Sequence, residues 1–493
     1  FEGFNVSILD SSFAVAATSG NVVIQDGAQA GQIFALTTAT DTITGTIGND
    51  TINSAIGTNG LTTNGTTLNA GDIITGGAGT DTLNVSITGT HTANNTVSAV
   101  TMTGVEKISV SNFETTEAAD GADADAILDF YDTINMSQAT GVTTIALANS
   151  ASTGDTYFTS VQGLVAAEMS NGAGDLSITY VDSVLAGATD AQTLTVSAVS
   201  AGTFTVAPTA TGNVETVNVV SNGSVANVLT GITATGVTTV NVSGAQAINL
   251  GTVANATTLN ASTATGKVTA IMGSTNATLA LTGGTADDRF DVSAGTMATT
   301  YTINGGTGTD TVVINDSVSQ AVFTGMTNVE KIELDGATTL TLASAISATT
   351  FDFSDTGDQT LTLSTGFTGD TTVVLTGDAT TNNDTITNTA NVKLTVVADA
   401  QDIDATTTIR GGTGTTDTMV LKAGDGNTTA ANAASTGTAD FTDTQAIDVI
   451  TVAKGYDVGD DITLTLGAYA TALTIDASAL TDAGTVNATG TGT

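Results

Sequence analysis

A chain of 493 residues with 40% hydrophobic side chains can bury a sizeable core and is long enough for several domains. Its 8 Lys and Arg stand against 48 Asp and Glu, a formal net charge of −40, which excludes the cationic surface that nucleic acids and anionic lipids need and makes a cation the natural partner. Cysteine is absent, so disulfides and thiolate metal sites are excluded too.

The rest of the composition belongs to strands and turns. Trp is absent, Pro208 is the single proline, and Thr, Ala, Gly, Val and Asn dominate. Val, Ile and Thr favour the pleated strand, while Gly and Asn supply the positive φ of tight turns. No stretch approaches the roughly 18 apolar residues of a membrane-spanning helix. The chain begins at Phe1 without a signal-peptide pattern and ends on "NATGTGT", which reads as part of a further repeat, so a processed piece of a longer chain is expected, with residues 1–40 as its N-terminal segment.

Residues 41–115 form the first expected module. Here "GGAGTDTLN" at 76–84 fits the template Gly-Gly-x-Gly-x-Asp-x-apolar-x at every specified position, and "GTIGNDTIN" at 45–53 fits it without the second glycine. Asp41 and Ile43 precede Asp50 and Ile52 by nine residues, as Asp72 and Ile74 precede Asp81 and Leu83. The module closes on "GVEKISV" at 104–110.

Residues 116–280 read as a Thr- and Val-rich β-repeat region. Asp120, Asp123, Asp125 and Asp129 cluster near its start, but the EF-hand spacing is absent and a solvated acidic loop is expected. "GVTTIAL" at 141–147, "NVETVNV" at 213–219 and "GVTTVNV" at 236–242 share a pattern with "GVEKISV": a turn-tolerant entry residue, Val, then alternation at the strand period of two. Each predicts one rung of a stacked sheet, with Thr ladders between rungs.

A second module spans 281–345. It contains "GGTADDRFD" at 283–291, with Ala286 for the third glycine, then the second full match, "GGTGTDTVV" at 305–313, and then "NVEKIEL" at 328–334. The C-terminal region, 346–493, carries degenerate turns: "GGTGTTDTMV" at 411–420 has one extra residue, and Asp384 and Asp460 lie near glycines in similar settings. With a single histidine, His91, no histidine-based site is expected, and His91 is expected at the surface.

The nine-residue interval has a physical reading. A glycine-rich turn reverses the backbone and aims carbonyl oxygens at a common centre, the following aspartate adds a carboxylate, and the apolar residue two positions later faces inward along a short strand. A hard cation that accepts six to eight oxygens, calcium, suits such a centre. The expected ligands are Asp81 and Asp310, with Gly76, Gly77, Gly79, Gly305, Gly306 and Gly308 forming the turns and offering carbonyls. Asp50 with Gly48, Asp41, Asp72, Asp288 and Asp417 are further candidates in imperfect frames.

The stretches at 76–84 and 305–313 resemble the calcium-binding nonapeptides of RTX proteins. That resemblance implies a parallel β-roll, calcium, and type I secretion to the outside of a Gram-negative bacterium. RTX toxins and proteases stack many nonapeptides in tandem, whereas these are scattered, so a long β-roll is not expected. With the "VEKI" strands, the Thr and Ala richness and the acidity, the chain resembles bacterial S-layer and S-layer-like surface proteins. This resemblance implies a calcium-dependent lattice over the cell, with the chain itself as partner and lipopolysaccharide or another anchor reached through sequence not present here. An RTX-type adhesin or surface filament is the alternative.

The expected fold is therefore all-β, elongated, with solenoid or β-roll-like and sandwich-like modules and calcium-binding turns. Catalysis is not expected. Glycoside hydrolysis needs only two carboxylates, but such clefts carry aromatic platforms and Arg or His partners, and aromatic residues make up only 4% of this chain.

Overall fold

A computed structural model describes residues 14–18, 21–25, 30–57, 65–89, 95–114, 132–273, 278–315, 317–353, 357–375, 383–390, 392–399, 402–403, 406–412, 414–422, 436–441, 444–452, 461–466, 473–478 and 486–490. The chain is nearly all β, about 2% helical, and its parallel strands stack as a β-solenoid. It divides into two compact units, Phe1–Gly251 and Thr252–Thr493, which together hold about 13 turns. The all-β solenoid expected from the alternating strands is thus the fold. No helix among the described residues is long and apolar enough to cross a membrane.

In the first unit the chain coils through three sheets. From Thr82–Thr88 it passes to Asn95–Val97, then Thr101–Thr103, and returns to Lys107–Asn112, which pairs in parallel with Thr82–Thr88 and sets Ile108 beside Leu83. Parallel strands cannot be joined by a tight hairpin, and the other sides of the coil supply the required crossover. The third sheet ends at Ala139–Thr140, after which the coil continues with two sides, through Thr144–Ala148, Thr156–Val161, Ala166–Ser170 and Leu176–Tyr180.

The second unit repeats the plan. Ala280–Thr282, Thr302–Asn304 and Met326–Thr327 stack in one sheet, while Arg289–Asp291, Thr311–Ile314, Lys331–Leu334 and Thr350–Phe353 stack in a second. The third side consists of Val318–Ser319, Thr339–Leu342, Thr360–Leu363, Thr385–Asn388, Thr408–Arg410 and Thr444–Gln445.

Period-two alternation builds each rung. In Thr82–Thr88, "TLNVSIT", Leu83, Val85 and Ile87 point inward and are buried while Thr82, Asn84 and Ser86 point outward. Burying each such aliphatic side chain stabilises the fold by about 1.5 to 3 kcal/mol. Each of the five heptads of the second repeat type opens a strand as expected, and its Val is buried in four of them, at Val105, Val214, Val237 and Val329, and half-buried at Val142. Amide ladders join the outward faces: Asn84 Nδ2 donates to Asn53 Oδ1 at 3.2 Å, Asn241 to Asn218 at 2.9 Å and Asn328 to Asn304 at 2.9 Å. Inside the two-sided part, the buried Tyr180 hydroxyl donates to Gln192 Oε1 at 2.7 Å and accepts the Val165 N–H at 3.3 Å, so a polar pair sits in the core with its groups satisfied.

Candidate functional site

Both full matches to the nonapeptide template are corners of the coil. Residues 76–81 lead from Ile73–Thr75 into Thr82–Thr88, and residues 305–310 lead from Thr302–Asn304 into Thr311–Ile314. Each lies in a series of stacked corners, 45–50, 76–81 and 104–106 in the first unit, and 283–288, 305–310 and 328–330 in the second. Within a series the bonds repeat: the Asp50 N–H donates to Asp81 Oδ1 at 2.7 Å and the Asp81 N–H to Glu106 Oε2 at 2.8 Å, while the Asp288 N–H donates to Asp310 Oδ1 at 2.7 Å and the Asp310 N–H to Glu330 Oε2 at 2.9 Å. Backbone carbonyls reinforce the stack, with Lys107 donating to Asp81 O at 3.0 Å and Lys331 to Asp310 O at 2.9 Å.

The consensus residues have structural reasons in this geometry. A Cβ on Gly76 would fall 1.7 Å from Gly104 O and 2.5 Å from Asp81 Oδ2, and one on Gly305 would fall 1.8 Å from Asn328 O and 2.5 Å from Asp310 Oδ2, so the first glycine makes room for the next rung. The second glycine takes positive φ, 110° at Gly77 and 105° at Gly306, as does the third, 118° at Gly79 and 135° at Gly308. Gly79 lies against Gly48 and Gly308 against Ala286, and neither Gly48 nor Ala286 takes positive φ, so the third position of the lower corner can hold alanine. The aspartate accepts the N–H of the corner beneath it.

The five corner aspartates differ at their second oxygen. Asp50 Oδ2 accepts the Thr46 N–H at 2.5 Å, Asp288 Oδ2 the Gly284 N–H at 2.6 Å and Asp417 Oδ2 the Gly412 N–H at 2.5 Å. Their first oxygens accept Gln32, Val268 and Leu394 N–H groups at 2.5, 2.7 and 2.8 Å, so both oxygens of each are engaged by the chain itself. Asp81 Oδ2 and Asp310 Oδ2 are buried and have no hydrogen-bond partner. The two corners that match the template in full are therefore the two that leave a carboxylate oxygen unbonded. At both, the second glycine has turned to positive φ, and Gly306 donates instead to Asn304 Oδ1 at 3.2 Å.

The electrostatics follow. Burial pushes the Asp310 carboxyl up to about 6, with the charges of Asp288, Glu330 and Asp287 adding to the rise. Asp81 is raised by burial and then by Glu106 and Asp50, and Asp288 and Asp417 are raised chiefly by burial. At Asp50 burial also acts upward, but the Gln32 and Thr46 N–H groups and the Thr46 hydroxyl outweigh it and hold the carboxyl below the ordinary value.

Asp41 and Asp72 form a separate series. Asp72 Oδ1 accepts the Asp41 N–H at 2.9 Å and its Oδ2 the Asn69 N–H at 2.7 Å, while Asp41 Oδ2 accepts the Thr37 N–H at 2.6 Å. Asp72 and Asp81 thus sit at opposite ends of Ile73–Thr75, and the nine-residue interval is one short strand plus one corner. Asp384 Oδ1 accepts the Gln359 N–H at 2.9 Å, a ladder bond of the same kind. Sequence reasoning missed Glu106 and Glu330 as corner carboxylates. Their signal was available, because each Glu precedes the Lys that opens the strand stacked on the one after a full-match corner, Lys107 beside Thr82 and Lys331 beside Thr311. Asp120, Asp123, Asp125, Asp129, His91 and Asp460 lie outside the described residues.

The donor chemistry suits a hard cation at two corners, where Asp81 Oδ2 with Gly104 O, and Asp310 Oδ2 with Asn328 O, flank the glycine that makes room for them. Among the described residues no group of three or more His, Cys, Asp or Glu side chains gathers around a possible ion, so most of any coordination shell would be backbone carbonyls and water. No protein-family model matches the sequence, and no curated protein matches it.

Proposed function

We propose that the chain is a structural protein of the bacterial cell surface that self-assembles into an S-layer lattice when calcium is bound. The observation that supports this reading is the pair of buried, unbonded oxygens, Asp81 Oδ2 and Asp310 Oδ2, in otherwise hydrogen-bonded carboxylate ladders. An ionised oxygen buried without a partner is costly, and a divalent cation offsets that cost better than any group of the chain nearby. Calcium at these corners, held by Asp81 and Asp310 with neighbouring carbonyls, supplies positive charge to a chain of −40 and ties adjacent rungs together. Binding stabilises the folded form by RT ln(1 + [Ca²⁺]/Kd), about 2.7 kcal/mol per site at a hundredfold excess over Kd.

The reading gives export a direction. Sites of extracellular type bind at roughly 10⁻⁴ to 10⁻³ M. They would stay empty at cytoplasmic calcium, leaving the chain loose enough for a type I secretion channel, and fill outside the cell. The test is electron microscopy of the purified protein in millimolar calcium, after chelation at constant ionic strength, and after calcium is restored. Sheets that dissolve on chelation and return with calcium but not magnesium are expected. Threads would favour the surface filament, and assemblies indifferent to chelation would remove calcium from the mechanism.

A further inference from the structure

We infer that the third side of the second unit is an ice-binding face, a regular array of hydroxyl and methyl groups that docks on crystalline water. This goes beyond the assembly proposed above and does not depend on it.

The register sets Thr339, Thr360, Thr385 and Thr408 in one outward column. Ser319, Thr341, Thr362 and Thr387 form the next, which ends at Arg410. The inward neighbours Leu340, Leu361, Ile386 and Ile409 are fully buried, so both columns stand on a packed core, and the rungs beneath them pair without a register shift. Among the described residues, none of these eight hydroxyls bonds another group of the protein. Elsewhere threonine hydroxyls turn back on the chain, as Thr143 and Thr238 do in donating to Glu106 O and Glu215 O at 3.2 Å.

Threonine at strand entry recurs on all three sides, at Thr82, Thr311 and Thr339, and by itself distinguishes none of them. The second outward column does. It carries amides on the first sheet, at Asn84, Asn218 and Asn241, and valines on the second, at Val374, Val397 and Val420. On the third side it carries hydroxyls in both units, since Thr44, Thr75, Thr103 and Thr140 also stack in register. In the first unit, however, Ile73 interrupts the entry column and Thr101 donates its hydroxyl to Gln138 Oε1 at 2.9 Å, so the doubled array is complete only in the second.

Stacked rungs lie about 4.8 Å apart and alternate residues along a strand about 6.6 Å apart. Both distances are close to the repeats of the oxygen lattice on a face of hexagonal ice, so water held on this array is already spaced as the crystal needs it. Ordered water bridges hydroxyls almost as well as a direct bond does, and side chains held in place by the core lose little freedom on docking. A crystal face repeats as the rungs do, so the weak contacts act together.

The test measures ice recrystallisation in dilute solutions of the purified protein, and the share of protein taken into a slowly grown ice crystal. The wild type is expected to slow recrystallisation where an inert protein of equal size does not, and to enter the ice. Thr362→Tyr raises a bulky ring in the middle of the array and should lose most of that activity. Thr395→Tyr places the same ring on the outward face of the second sheet and should keep it. Tyrosine suits strands, and far-ultraviolet circular dichroism checks that both variants fold. Wild-type protein excluded from ice, or equal activity in the two variants, overturns the assignment. A further measurement needs no variant: single ice crystals grown with the wild type should become faceted, and unshaped discs overturn the face. None of these measurements requires assembly, so their failure leaves the calcium-dependent lattice standing, and the loss of that lattice leaves them unaffected.

Discussion

The backbone N–H of Asp288 donates to Asp310 Oδ1 at 2.7 Å across 22 residues of sequence, and Asp50 and Asp81 make the same bond at 2.7 Å across 31. A carboxylate here does what a strand carbonyl does elsewhere in the ladder. It carries rung-to-rung pairing around a corner where the extended backbone stops.

Replacing that acceptor has two separable effects. Asp310→Ala leaves the buried Asp288 N–H without its partner and is expected to cost about 1 to 3 kcal/mol, read from urea unfolding in chelator. Asp310→Asn keeps an oxygen for the N–H and removes a repelled charge, so its stability in chelator should match or exceed that of the wild type. In calcium, however, it should lose the stabilisation attributed to its site. A calcium shift in melting temperature that is undiminished in Asp310→Asn would locate the ion elsewhere.

The raised Asp310 carboxyl sets a pH dependence whose sign is opposite to that of most carboxylates. Its folded value of about 6 lies above the ordinary 3.8, so the folded chain holds the proton more tightly. Its contribution is fully present below about pH 3.8 and is lost as pH rises through about 6. Asp50, lowered, acts the other way: its contribution is present above the ordinary value and is lost as pH falls through its folded value. In chelator, the stability of wild type relative to Asp310→Asn should therefore fall between pH 4 and 6, and calcium should reverse the trend. A flat difference over that window would contradict the assignment.

Glycine positions divide by what lies above them. Gly76→Ala and Gly305→Ala drive a methyl to within 1.7 and 1.8 Å of backbone oxygens that no rotamer can move. Each should cost at least the 1 to 3 kcal/mol typical of overpacking, roughly, or prevent folding. Gly163→Ala meets nothing within 4 Å and has no positive φ, so it should be neutral or mildly stabilising by circular dichroism melts.

In the two-sided part of the coil, Tyr180→Phe removes the hydroxyl shared by Gln192 Oε1 and the Val165 N–H. The expected loss is about 1 to 3 kcal/mol with the strand content unchanged, since two buried groups lose their partner while the apolar ring remains. A calorimetric scan indistinguishable from that of the wild type would show that the pair is satisfied otherwise.

Much of the fold was legible because it is written at short range. "TLNVSIT" states its inward and outward faces directly, and "GVEKISV" and "NVEKIEL" mark where strands begin. What was not legible is that nonapeptides and heptads are members of one series. Six-residue and three-residue corners stack only once the register is known, and the spacing of equivalent residues varies from 20 between Asp310 and Glu330 to 31 between Asp50 and Asp81. Residue types did set apart the two full matches, but not the reason that their carboxylate oxygens are left unbonded. Gly284 and Gly306 occupy the same position, and only the second adopts positive φ. Glycine permits both conformations, so the peptide's direction is settled by the neighbouring rung.

The unequal circuits carry a practical consequence. The loop from Asp50 to Asp81 is longer than that from Asp288 to Asp310 by 31 − 22 = 9 residues, yet both end in the same 2.7 Å bond. Corners act as index marks, and the path between them absorbs length without disturbing the next mark. A short peptide grafted beside the exposed Gly65, where an added side chain would meet nothing within 4 Å, should accordingly leave the melting temperature near that of the wild type, whereas one placed at the buried Leu68 or Asp72 should lower it, as read by circular dichroism melts.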